Sequence, residues 1–233
     1  EYNSAVSVFN ELKLEEDVLY SQEASYWLAL CKWKDLKPLP AIKDLENIVQ
    51  KVDNKDFQSN VYLSIGEIYL SINNTMSAFD NFEKGAKLSK NRNLREQIYF
   101  QIAEISFDEK NFEKALESYQ NVLSNTISIT RIQDSNLKIA QIYRLTGDIE
   151  QSVAKIKDLI IDEDFESIKP DLDLELTKIE LGRGKVNFAI VNLDRIGQDY
   201  KNTKTAIEAY YILSNIYLSN PNIDYKKDQF FMN

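Results

Sequence analysis

Glu104 and Asp108 stand four residues apart, the spacing that places two carboxylates side by side on one face of a helix. Such a pair could serve general acid/base chemistry. In a chain with 37 acidic and 28 basic residues, on a polar helix face, it reads instead as solvated surface. The run Asp-Glu-Asp-Phe-Glu at 162–166 invites a calcium site. It lacks the alternating oxygen ligands and the sharp glycine turn of an EF-hand loop, so it reads as a solvated connector. Histidine is absent from the sequence, which removes the commonest general base and metal ligand. The serines have no evident base partner, and neither a glycine-rich phosphate loop nor a Cys/His metal spacing occurs. The sequence therefore predicts no catalytic residues, no metal and no cofactor, and a chain that is not an enzyme.

Composition narrows the classes further. The 233 residues carry a net charge of −9 without a block of Lys and Arg, which disfavours nucleic acid, because phosphate contacts need clustered positive charge. No run of 18 or more apolar residues is present, so no spanning helix is expected. Six glycines and four prolines are too little punctuation for an all-β fold. Elements that could carry function must then be helices.

Their arrangement follows from an interval. Small residues recur every 37 positions at Ala29, Gly66, Ala103, Ala140, Thr177 and Ser214. Twelve residues after the first five of them comes a second small residue, at Ala41, Ala78, Ala115, Ser152 and Ala189. Four further on stands a bulky one, at Leu45, Phe82, Tyr119, Ile156 and Leu193. Aliphatic residues flank the first slot: Ile65 and Ile68 around Gly66, Ile102 and Ile105 around Ala103, with Cys31 filling the corresponding place beside Ala29. Cys31 is thus read as a small buried hydrophobe. The pattern describes two amphipathic helices whose backbones approach closely at the small slots, best seen in residues 94–122. One hairpin of this size cannot bury its own apolar face, so stability must come from stacking on neighbours.

This spacing resembles the tetratricopeptide repeat, W-x₂-L-G-x₂-Y followed by A-x₃-F. Ile65, Gly66 and Tyr69, then Ala78 and Phe82, match nearly slot for slot, with Tyr62, Tyr99 and Tyr210 where the pattern has Trp. The resemblance implies an all-α fold, a right-handed α-α superhelical solenoid forming one domain over 1–233. Its expected parts are a partial repeat at 1–20, repeats at about 21–56, 57–92, 93–130, 131–168 and 169–202, and an incomplete terminal repeat at 203–233. The interval exceeds the family's usual spacing of about 34. The fifth repeat departs most, with Thr177, Glu180, Gly182 and Gly184. Pro38 and Pro40 are expected to break the chain between two helices, and Thr75 to cap a helix.

In such an array the first helices line a concave groove. The residues opposite the core stripe are Tyr26, Leu30, Trp33, Asn60, Glu67, Gln97, Glu104, Phe107, Asp108, Asp134, Gln141, Arg144, Lys178, Tyr211 and Asn215. They make an acidic, polar surface with aromatic anchors, which suits a protein or peptide partner of basic or apolar character. It does not suit a clamp for a C-terminal carboxylate, which needs convergent cationic donors. The expected function is a non-catalytic scaffold for protein–protein interaction. Residues 199–213, echoed at 21–29, are similar to bacterial periplasmic tetratricopeptide proteins of the Tol system and of outer-membrane assembly. That likeness implies a cell-envelope assembly, periplasmic or outer-membrane-associated; the alternative is a cytoplasmic regulatory or sensor module of a larger protein. The unfinished terminal repeats are read as part of a longer chain, and as surfaces for self-association.

Overall fold

Several helices in this chain begin where an amide or hydroxyl side chain accepts from the first exposed N–H groups, and three of these caps recur with the repeat. Asn54, Asn91 and Ser128, spaced by 37, accept from the N–H of Phe57, Leu94 and Arg131 at 3.0, 3.1 and 3.4 Å. Helix ends recur as well. Leu36, Asn73, Lys110, Gly147 and Gly184 all take positive φ, between 58° and 89°, and fall seven residues after each small slot. In four of the five, the next residue donates back across the turn: Lys37 to Lys32, Asn74 to Tyr69, Asn111 to Ser106 and Lys185 to Glu180, at 2.8–3.0 Å. Together with the shorter bonds from Leu36, Asn73, Lys110 and Gly184, these are Schellman closures that satisfy otherwise orphaned carbonyls.

The structure, a computed structural model, describes residues 2–14 and 18–219. Among them are twelve α-helices and no strand: α1 Tyr2–Leu12, α2 Val18–Lys34, α3 Pro38–Lys51, α4 Lys55–Ser71, α5 Thr75–Leu88, α6 Arg92–Asp108, α7 Phe112–Asn125, α8 Ile129–Thr146, α9 Ile149–Ile160, α10 Lys169–Gly182, α11 Val186–Asp199 and α12 Lys204–Ser219. A 3₁₀ turn, Glu163–Ile168, precedes α10. The all-α class that the resemblance implies is the one observed among the described residues. The helices group into two compact units, Glu1–Ile127 with α1 to α7 and Ser128–Asn233 with α8 to α12. Within each unit consecutive helices pack against one another.

The matched slots form the core of each unit. Ala29, Ala103 and Ala140 are wholly buried, as are Ala41, Ala78, Ala115, Ser152 and Ala189. Leu45, Phe82, Tyr119, Ile156 and Leu193 are at 0 % exposure. The closeness is plainest at Gly66, where a Cβ would lie 2.3 Å from the Phe82 ring. In the second unit the Ser152 hydroxyl donates to the Ala140 carbonyl at 2.7 Å, so two successive small slots touch directly. The fifth repeat keeps the design despite its substitutions. Thr177 is buried with its hydroxyl bonded to the Asp173 carbonyl, and buried Glu180 is held by Arg183 and Lys185 beside the turn.

Several expectations are corrected. Ser214, the sixth slot, is exposed; the positions that would face it, 226 and 230, lie outside the described residues. Residues 15–17 of the expected partial repeat and 220–233 of the expected terminal repeat also lie outside them. Pro38 and Pro40 sit inside the first turn of α3, where proline's missing N–H costs nothing. The cap of α5 is Asn74, whose side chain accepts from Ser77 N–H at 3.1 Å, and Thr75 is the first helical residue. The acidic run at 162–166 is no mere solvated connector: Phe165 is buried with Ala140, Ile156 and Leu172, because its ring has apolar surface to hide.

Two substitutions probe these contacts in opposite directions. Gly66→Ala drives a methyl into the buried Phe82 ring and should lower stability by roughly 1–3 kcal/mol. Lys110→Gly relieves a left-handed non-glycine residue and should raise it by roughly 0.5–1 kcal/mol. Urea denaturation midpoints measure both.

Candidate functional site

With their small residues turned to the core, the first helices of each pair present their remaining residues along a shared face. In the first unit α4 contacts both α2 and α6; in the second, α10 contacts both α8 and α12. The two faces have different chemistry.

On the first unit's face Trp33 is half-buried against the core, with its indole N–H donating to Ser71 Oγ at 3.1 Å. Ser71 in turn donates to the Ile68 carbonyl at 2.6 Å, so the ring is held from behind. The Lys34 ammonium lies 4.2 Å from the centre of that ring. Leu30 packs beside Trp33 on the same core. Glu67, one turn before Ser71 on α4, is half-buried and makes neither a hydrogen bond nor a salt bridge among the described residues. Burial holds its carboxyl above the usual glutamate range, and the Lys34 charge draws it partly back. Glu104, in the equivalent slot of α6, is oriented by the Tyr119 hydroxyl, which donates to its Oε1. Phe107 packs edge-on against Phe112 with centroids 6.0 Å apart. Asn60 is half-buried, while Gln97 and Asp108 are exposed.

Tyr26 is elsewhere. At 6 % exposure it belongs to the core, its hydroxyl within 2.8 Å of Ser64 Oγ. Burial raises its phenol above the ordinary range, outweighing the hydrogen bonds to Ser64 and Asn60. A ring this enclosed is not an anchor for a partner. Its slot, three before the small residue, is one that α4 and α10 also bury, with Leu63 and Leu174.

The second unit gathers its polar residues around one that the sequence reading missed. Glu175 on α10 is 2 % exposed. Arg144 Nε donates to it at 2.8 Å, Gln141 at 3.3 Å and Lys178 at 2.6 Å. Lys178 also reaches Glu208 of α12 at 2.7 Å. Three residues expected to face a partner thus spend their donors on a buried carboxylate. The available signal was the spacing of Glu175 and Lys178, three apart on one helix. Asp134 is half-buried on α8, and Tyr211 and Asn215 are exposed on α12.

Among the described residues no group of three or more acidic, cysteine or histidine side chains could hold a metal ion. No helix among them is long and apolar enough to cross a membrane.

The fold defines a class: all-helical proteins built of stacked tetratricopeptide-like hairpins. Residues 96–125, spanning most of the α6–α7 pair, match the tetratricopeptide repeat itself. The chain is similar in fold to the apo form of RapI, with a TM-score of 0.69 at 16 % identity, covering 94 % of this chain and 65 % of RapI's own length. It is also similar to the C-terminal part of a TPR repeat-containing protein from Cytophaga hutchinsonii, with a TM-score of 0.56 at 17 % identity over 97 % of this chain and 92 % of that one. A third likeness is to YrrB, described as a TPR protein with an unusual peptide-binding site, with a TM-score of 0.51 at 10 % identity over 77 % and 85 % of the two chains. The sequence matches no curated protein. At these identities the structural likeness establishes the fold and nothing finer.

The buried carboxylate yields a test. Glu175→Gln leaves Arg144 without its counter-charge and Lys178 with Glu208 alone, and should lower stability by roughly 2–3 kcal/mol in urea denaturation. That is less than the ~3–5 kcal/mol of a fully buried pair, because both cations are partly exposed.

Proposed function

We propose that this protein is a non-catalytic scaffold that holds a polypeptide of basic character against the face formed by α2, α4 and α6. One observation carries the reading: Glu67 is a half-buried carboxylate without a hydrogen-bonding or ion-pairing partner among the described residues, one turn along α4 from Ser71, to which Trp33 is bonded. Leaving a charged group partly desolvated costs free energy that an incoming cation recovers. Trp33 and Leu30 add apolar surface on which a partner side chain can rest. The second unit's face offers less, since its cations and carboxylates already satisfy one another.

YrrB's peptide-binding site supports the general mode, and the tetratricopeptide match at 96–125 places one such repeat within the same unit. The interval of 37, unbroken from Ala29 to Ser214, supports reading all the hairpins as one series. A role in a bacterial cell-envelope assembly is part of the proposal and rests on the similarity of residues 199–213 to periplasmic members of the class. Self-association through the terminal repeats is a separate expectation that sizing chromatography tests.

Reversing both carboxylates, Glu67→Lys with Glu104→Lys, should weaken binding of a basic peptide at least tenfold, about 1.4 kcal/mol. Fluorescence anisotropy measures it, and unchanged affinity would remove this face from the mechanism. The pH dependence has a definite sign. Because the Glu67 carboxyl is held above the usual range, it protonates before exposed glutamates as the pH falls. Binding should therefore weaken on acidification through that raised value, and Glu67→Gln should abolish the step.

A further inference from the structure

Resting on the reading of α2, α4 and α6 as the partner face, a narrower statement concerns one side chain of that partner. We propose that the Trp33 ring and the Glu67 carboxylate form a seat for a single cationic side chain, preferentially arginine, and that in the free protein the chain's own Lys34 occupies it.

The geometry is specific. Trp33 comes from the last turn of α2 and is pinned to α4 through Ser71, which lies four residues after Glu67. Four residues is one helical turn, so the ring and the carboxylate are neighbours on the same face of α4. Lys34 is the adjacent residue on α2, and its Nζ stands 4.2 Å from the ring centre, within range of a cation–π attraction. The same ammonium is the charge that acts on Glu67. It makes no salt bridge among the described residues, and the residue is exposed. One cation therefore already lies over the aromatic face and within electrostatic reach of the carboxylate, on a flexible four-carbon stem.

An ammonium held this way is a stand-in. It keeps the ring covered and Glu67 partly compensated when no partner is present, and it can swing into solvent because nothing else fixes it. An incoming guanidinium does better at both contacts. Its plane stacks on an indole, its fork of N–H groups reaches a carboxylate, and it sheds water more readily than an ammonium. The seat should consequently prefer arginine over lysine, and Lys34 should act as a competitor that lowers affinity for both. The other tryptophan, Trp27, stacks on Phe9 with centroids 6.3 Å apart and takes no part.

The test uses fluorescein-labelled peptides alternating arginine with leucine, lysine with leucine, and glutamate with leucine, titrated into the full chain. Lys34→Gln should tighten the arginine peptide about three- to tenfold and the lysine peptide less, and should not bring in the glutamate peptide. Removing any nearby positive charge could favour a cationic peptide, so the measurement is repeated with Trp33→Phe. If the gain comes from vacating the seat, it shrinks in that background; a gain of undiminished size overturns the proposal. A Lys34→Gln protein with unaltered affinity, while Glu67→Lys with Glu104→Lys still weakens binding, also overturns it and leaves the partner-face reading intact. Should the arginine peptide bind without regard to that double reversal, or not bind at all, both fail. A readout independent of affinity comes from Trp33 emission in a Trp27→Phe protein. Lys34→Gln should shift it and the arginine peptide should shift it back; an emission indifferent to Lys34 overturns the seat.

Discussion

A bulky side chain seated on a stretch of backbone with almost no side chain of its own is the contact on which everything else in this molecule depends. Phe82 on Gly66 is its tightest instance, with no room for even a methyl group. Elsewhere alanine or threonine occupies the matching slot, and Leu45, Tyr119, Ile156 and Leu193 are wholly enclosed. Such contacts bring helix axes close, and close axes multiply the many weak attractions that hold a dry interface together. The consequence is a strict allocation of space. Each helix pair uses one stripe for its partner and its neighbours, and what remains outside that stripe is available for other purposes.

The turns show how far the requirement propagates. A hairpin that must present the same two stripes in every repeat needs the same reversal between them. The chain makes that reversal with a left-handed residue seven positions after the small slot, even where the residue is Leu36 or Lys110. Those side chains carry the strain of a conformation that suits glycine. Repeats with Gly147 and Gly184 reach the same geometry without it. Closure by recurring backbone bonds, rather than by a favoured residue type, explains why the turn survives such varied sequence.

Freed from the core, the outward residues have diverged in kind between the two units. In the second, Glu175 draws Gln141, Arg144 and Lys178 inward, so polar groups of α8 and α10 meet at one buried carboxylate. In the first, Glu67 has no such company, and Trp33 is bonded to Ser71 one turn further along α4. A carboxylate half-removed from water and compensated only by the charge of Lys34 is a destabilising feature on its own terms.

The helices, their pairing and the core slots were legible in the amino-acid order, because burial imposes the same size at the same place in every repeat and thereby writes a period of 37 into the chain. The burial of Tyr26, the exposure of Ser214 and the burial of Phe165 were not, nor was Glu175 as a centre of charge. Each depends on what another helix brings to that point. The bonds to Glu175 from Arg144 and Gln141 join residues 31 and 34 apart, and no local pattern records whether two such side chains meet. Periodicity tells which face a residue occupies; only the packed helices decide whether its charge on that face is already answered.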